Sequence, residues 1–384
     1  MGHSAAERPV WACIRGCGLG LAAAGLLLWP GEAAQAVREG LRLCGTVLIP
    51  ALFPFLVLSS LVVELGLSRA LGRLFAPVMG PLFRVNGACG TALALGLVGG
   101  CPVGAKTALQ LYESGQCSRT EAQRLLAFCN NCGPAFILGV VGTGIFHSNR
   151  AGLLLYAVHL LSALTVGVLF RFYRRQEGPS RGGTDRSKEN PSFSAAFTGS
   201  VAGALNSCLT ISAFVLTFAV LLRILRLSGL MDLTARLLSP LGIDRVWAGR
   251  LLTGLLELSS GVAALTDGDP VLRLAAASFL LGWSGLSVHC QVLALLGNSG
   301  LSLRPYFIGK ILQSTISPCF FLLFVHIFQL EGDISCLSQG LSALPLDFYG
   351  TFSCFSAGLC VFWTVMMIFS SFIAKYAIEK RRRL

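Results

Sequence analysis

Charge is what this sequence lacks. Only 12% of its 384 residues are Asp, Glu, Lys or Arg, against about 25% in ordinary soluble domains. Apolar residues make up 54%, and the mean hydropathy is +0.71. A soluble chain would carry far more charge to cover its exterior. This composition therefore excludes a soluble enzyme, a disordered chain and a fibrous protein. Phosphate loops of the GxxxxGK[ST] type are missing, as are HExxH and GxSxG. Nothing supports an ATP-driven pump, and no enzymatic activity is expected. Metal-ligand clusters are also missing. The 14 cysteines sit mostly inside apolar segments and read as small buried hydrophobes. Cys129 and Cys132 have CxxC spacing, but no second pair stands nearby to complete a zinc site, so no metal or cofactor is expected.

What is present is a series of long apolar runs, continuous rather than alternating. Helices of roughly 20 residues span a bilayer, whereas barrel strands would be about 10 with strict alternation. The reading is an all-α polytopic membrane protein. The net charge of +12 would suggest nucleic acid in a soluble protein. Here the basic residues flank the apolar runs, as the positive-inside rule describes, and no nucleic-acid partner is expected. Membrane lipid and a small-molecule solute are the expected partners, and an oligomer is left open.

The first run, Trp11 to Pro30, is followed by Ala33-Ala-Gln-Ala36, which resembles a signal cleavage site. The charge argument below works with this helix in place, so it is expected to be retained. Residues 1–42 form an N-terminal helix and connector, 43–172 a first repeat, 173–199 a basic linker, 200–330 a second repeat, and 331–384 a loop, a last helix and the tail Lys380-Arg-Arg-Arg383. Each repeat holds a long helix, an amphipathic piece ending near a proline (Pro77, Pro240), a Gly-rich run (88–112, 247–265), a polar-interrupted helix and an ordinary helix.

Linker and tail are both basic and should both be cytoplasmic. Five apolar runs lie between them, which would place them on opposite sides. The conflict vanishes if each Gly-rich run enters and leaves by one face as a re-entrant hairpin, tolerable where the backbone is buried in protein. The expectation is then two inverted repeats, each with a hairpin and a broken helix, and about eight true spans. One feature resists: the 226–250 piece would lie outside, yet it carries Arg226, Arg236, Arg245 and Arg250.

Four polar interruptions are the candidate site. The Gly100, Pro102, Gly104 turn makes a half-helix start whose N–H groups attract anions, with Lys106 just beyond it. Lysine at the bilayer centre costs roughly 2.5–3.5 kcal/mol on insertion scales. It therefore needs a partner or a cavity, unless it snorkels to the surface. Asn130, Asn131 and Gly133 break a clean helix before Pro134, and their amides could hold a cation or polar substrate groups, or pack helices. Glu257, with Ser259 and Ser260, places a carboxylate in the second hairpin, to bind Na⁺, take a proton, or pair with Lys106 or an arginine. Ser284, Ser287, His289 and Gln291 line the second break; Gln313, Ser314 and Ser317 are weaker candidates. The four interruptions should converge near the midplane.

The runs Pro50-Ala-Leu-Phe-Pro-Phe55, Gly96-Leu-Val-Gly-Gly-Cys-Pro-Val-Gly-Ala-Lys106, Phe128-Cys-Asn-Asn-Cys-Gly-Pro-Ala-Phe136 and Gly285-Leu-Ser-Val-His-Cys-Gln291 resemble the sporulation integral membrane protein family of YlbJ/SpoVV type. The resemblance covers 45–330. It implies paired nucleoside-recognition gate domains, laid out as in concentrative nucleoside transporters. It further implies export of dipicolinic acid from the mother cell across the outer forespore membrane. The expected function is transport of a small, planar, anionic solute. A Na⁺- or H⁺-coupled nucleoside-type carrier and a non-transporting scaffold in spore envelope assembly are the alternatives.

Overall fold

The protein is represented by a computed structural model that describes residues 9–65, 68–180, 192–238, 244–297 and 299–327. The last helix, about 352–374, the basic tail at 380–383 and positions 181–191 of the linker lie outside the described residues.

Among the described residues all regular structure is helical. The helices are α1 (Pro9–Leu28), α2 (Pro30–Leu43), α3 (Ile49–Glu64), α4 (Ser68–Val78), α5 (Gly90–Gly99), α6 (Val103–Glu113), α7 (Arg119–Phe128), α8 (Asn149–Phe170), α9 (Phe193–Leu227), α10 (Leu230–Leu238), α11 (Arg245–Leu256), α12 (Leu258–Ala263), α13 (Pro270–Trp283), α14 (Gly285–Leu296) and α15 (Arg304–Ile327). A π-wound stretch, Ala135–Ile145, follows α7. Helix is what an apolar chain must form where no water can satisfy its backbone. Side chains cap the starts: Ser118 with Glu121 in a capping box, then Ser148, Ser192, Asp244, Glu257 and Asp269.

Four helical stretches are long and apolar enough to cross a membrane: Asn149–Phe170, Phe193–Leu227, Pro270–Leu296 and Arg304–Ile327. The number rises to six if each of two bent pairs, in 30–58 and 74–99, counts as one span.

Polar contacts gather the connections at two ends. At one, the buried Glu121 carboxylate accepts from the backbone N–H groups of Asn86, Ser118 and Ser180 at 2.7, 2.8 and 3.1 Å. The buried Arg124 guanidinium donates to the carbonyls of Arg84, Tyr173, Arg174 and Glu177, and Arg119 donates to Gly300 O. At the other end Arg223 pairs with Glu39 at 2.9 Å, Arg250 donates to Asp267 O at 2.6 Å, and Arg273 donates to Leu265 O and stacks on Phe146. Helices α8, α9, α13–α14 and α15 run between these ends.

Both Gly-rich runs fold as helical hairpins. α5 turns at Gly100 and returns as α6, and a β-carbon at either Gly96 or Gly104 would lie 3.0 Å from the other's Cα. α11 turns at Glu257 and returns as the short α12, with Gly261 against Gly254. The first hairpin opens toward the Glu121–Arg124 end and the second toward the Arg250–Asp267 end.

Candidate functional site

Each hairpin tip presses on a broken helix, and the two pairs match. A β-carbon at Gly100 would lie 2.8 Å from Gly133 N, and one at Gly285 would lie 2.9 Å from Leu258 N. The second break is a left-handed pair, Ser284 (φ 76°) and Gly285 (φ 81°). A non-glycine residue held there costs about 1–3 kcal/mol and persists only where its surroundings over-determine it.

Helix α15 lies across both broken helices. A β-carbon at Gly309 would sit 2.2 Å from Ala127 O on α7, and one at Gly282 on α13 would sit 2.7 Å from Ser314 Cα. Small residues allow this approach, as in other membrane helix pairs. The consequence is that Lys310, next to Gly309, projects between the two breaks.

Lys310 is 1% exposed. Its ammonium donates to Ser284 Oγ at 3.2 Å and to Gln313 Oε1 at 3.1 Å. Gln313 Nε2 in turn donates to Asn131 Oδ1 at 2.9 Å, and Asn131 Nδ2 donates to Phe128 O at 2.7 Å. One lysine thus ties the second break to the first. The Cys132 N–H donates to His159 Nε2 at 3.2 Å, which makes that nitrogen an acceptor and places the proton of a neutral imidazole on Nδ1. No carboxylate pairs with Lys310 among the described residues; the titratable groups around it include the thiols of Cys101, Cys129 and Cys132 and the imidazoles of His159 and His289.

Several buried polar atoms beside this network have no partner: both amide atoms of Asn130, His159 Nδ1, His289 Nε2 and Ser317 Oγ. Buried groups of this kind normally find a protein or water partner. Aromatic rings stand next to them. The His289 ring packs edge-on against Trp283 at 4.4 Å and Tyr306 at 5.5 Å, and His289 Nδ1 bonds the Tyr306 hydroxyl at 2.8 Å. A cation with no carboxylate beside it among the described residues, unpaired amide and imidazole atoms, and ring edges suit a small, planar, polar anion.

Most candidates from the sequence fall here. Asn130, Asn131, Gly133, Ser284, Ser287, His289 and Gln291 are all buried along the two breaks, and Gly100 touches the first of them. Pro102 precedes α6 and is half-buried, while Gly104 packs on Cys129 O. Lys106, Glu257, Ser259 and Ser260 have other positions. Lys106 is exposed on α6 and joins no part of the cluster, because Gly104, Ala105 and Thr107 present the inward face. Glu257 is buried, but its oxygens accept from the N–H groups of Ser259 and Ser260 at 3.0 and 2.6 Å. It caps α12 and forms no ion pair with Lys106. The hydroxyl-bearing Ser259 and Ser260 stay at that tip. Lys310, His159 and Tyr306 were not singled out by the sequence reading. The signal was present: each is a polar residue inside an apolar run, with Lys310 three residues before Gln313.

The Gate family, described as nucleoside recognition, matches residues 46–166. The sporulation integral membrane protein YlbJ of Bacillus subtilis (strain 168) is 32% identical over 317 residues, covering 77% of this chain and 78% of that protein. No solved structure matches the chain significantly.

Proposed function

The chain belongs to the family of the sporulation integral membrane protein YlbJ, and from that premise we propose that it is a transporter of a small anionic solute. Membership and the gate-domain match give a sporulation membrane protein with a transport-related role. The finer reading is ours. Dipicolinic acid, a planar pyridine dicarboxylate, is the proposed substrate, moved from the mother cell across the outer forespore membrane. Linker and tail are cytoplasmic in this scheme. The single observation that carries the solute's charge is Lys310: an ammonium buried between two broken helices with no carboxylate partner among the described residues. A buried cation in a membrane protein pairs or marks a substrate path.

The mechanism follows from the matched geometry. About eight spans and two re-entrant hairpins would form two inverted repeats, a reading supported by hairpins that open toward opposite ends and by tips that meet breaks in the same way. Lys310 and the amide-bearing break at 130–131 would hold a carboxylate, with Ser284 and Gln313 orienting the ammonium. The aromatic edges at His289 and Tyr306 would flank the ring. Movement of one hairpin-and-break pair relative to the other would open the site to alternate sides. Coupling to Na⁺ or H⁺ belongs to the proposal, although Glu257 is engaged in its cap.

A nucleoside-type carrier is the second reading, favoured by the gate-domain description and by the unpaired Asn130 amide. Proteoliposomes test both. Uptake of labelled dipicolinate, saturable and not matched by uridine, is the expected result. Uridine uptake alone would select the second reading, and uptake of neither would leave the envelope scaffold.

A further inference from the structure

The arginines that strain the positive-inside pattern surround a cavity. It measures about 530 Å³, and its lining includes Arg226, Asp232, Arg236, Arg245, Arg250 and Thr253. The arginines come from three elements: the end of α9, α10 and both turns at the start of α11. Two of the guanidiniums are held in place. Arg226 donates to Thr253 Oγ1 at 3.1 Å. Arg250 pairs with Asp267 at 3.5 Å and lies 5.1 Å over the Trp247 ring. Arg236 and Arg245 are exposed and have no carboxylate in ion-pairing range among the described residues. Met231, Ala235, Val246 and Ala264 supply an apolar part of the wall.

We infer that this cavity binds a small dicarboxylate, as a vestibule on the face opposite the basic linker. The inference rests on the anionic-solute reading above and extends it to a second place on the path. Three observations carry it. Like charges gathered round one hollow repel each other unless an anion lies among them; among the described residues Asp232, Asp244 and Asp267 stand near the four arginines, Asp244 capping α11 and Asp267 pairing with Arg250. Guanidinium forks match carboxylates in bidentate geometry. The volume suits a small ligand with an apolar ring. The place suits a vestibule as well. The cavity lies at the open end of the second hairpin, and Arg250 stands seven positions before the tip at Glu257, about 10 Å along the axis.

The full-length protein in phosphatidylcholine nanodiscs, probed by equilibrium binding of labelled dipicolinate, tests the inference. Lys310→Met silences the central junction, so binding that survives in K310M reports the cavity. That remaining binding should weaken with added salt, and R236Q/R245Q in the same background should weaken it about tenfold or more. R236K/R245K, which keeps the charge and loses the fork, should fall between. Both pairs are exposed, and unchanged melting temperatures would show intact folding. Undiminished binding in K310M/R236Q/R245Q overturns the inference. So does retention of phosphatidylglycerol through detergent extraction, lost in R236Q/R245Q, if K310M binds no dipicolinate: the cavity would then hold a lipid headgroup. If the wild-type protein moves no dicarboxylate in proteoliposomes while K310M still binds it through Arg236 and Arg245, the transport proposal fails and the cavity assignment stands.

Discussion

Replacing Lys310 by methionine separates a ligand-binding cation from a structural one. Lys310 makes two charge-assisted hydrogen bonds, to Ser284 and Gln313. Such bonds contribute about 1.5–3 kcal/mol each. In the proposed transporter, burying the ammonium within the membrane opposes them by about 2.5–3.5 kcal/mol. The burial cost offsets about half or more of the gain, so K310M should be destabilised by no more than about 3.5 kcal/mol and reach the membrane normally. Binding should respond differently. Removing one partner of a buried charge pair costs about 2–5 kcal/mol, which is a rise in Kd of about 30-fold or more for the central site. Isothermal titration of dipicolinate into nanodiscs, alongside thermal unfolding, reads both quantities. Lys106→Gln is the internal control, because that side chain is exposed; its Kd should stay within about twofold. A K310M variant that keeps every dipicolinate-binding step of the wild type, with the same Kd values, would refute the reasoning. A K310M variant that fails to fold would make the lysine structural.

Three further outcomes follow from the contacts. Thiol labelling of a cysteine-depleted variant should place the 173–199 linker and the C-terminal tail on the same side; labelling from opposite faces would break the hairpin topology. Gly309→Val should push α15 off α7, since even a β-carbon would lie 2.2 Å from Ala127 O; overpacking of this kind costs about 1–3 kcal/mol and should appear as a lower melting temperature together with weaker dipicolinate binding. Glu257→Ala removes the cap of α12 and should cost about 0.5–2 kcal/mol, read as faster hydrogen exchange at Ser259 and Ser260. If Glu257→Gln instead abolished a Na⁺ or proton dependence of uptake while leaving exchange unchanged, the carboxylate would be an ion ligand.

Local chemistry made the breaks and turns readable in the sequence. Gly99 to Gly104 turns because glycine and proline punctuate an apolar run, and the interruptions at 129–134 and 284–285 show as polar or glycine residues where continuous helix would otherwise run. Composition alone dictated helices, because no other open structure satisfies its backbone in lipid. The arginines at 226–250 fit no simple topology by sequence alone, and the sequence offers no reason for them.

Only the tertiary structure decided which cation reaches the junction. Lys106 and Lys310 look alike in the sequence: each follows a small residue, Ala105 or Gly309, in an apolar helix. Their fates differ because a helix face is chosen by its neighbours. Gly96 and Gly104 draw the inner face of α6 against α5 and the Cys129 carbonyl, which turns Lys106 outward. Gly309 against Ala127 and Gly282 against Ser314 draw α15 between the two broken helices, which turns Lys310 inward. Glu257 shows the same dependence. Its position at a hairpin tip could be read from the chain, but its carboxylate belongs to the N–H groups of Ser259 and Ser260 because the turn brings them within reach before any distant cation can approach.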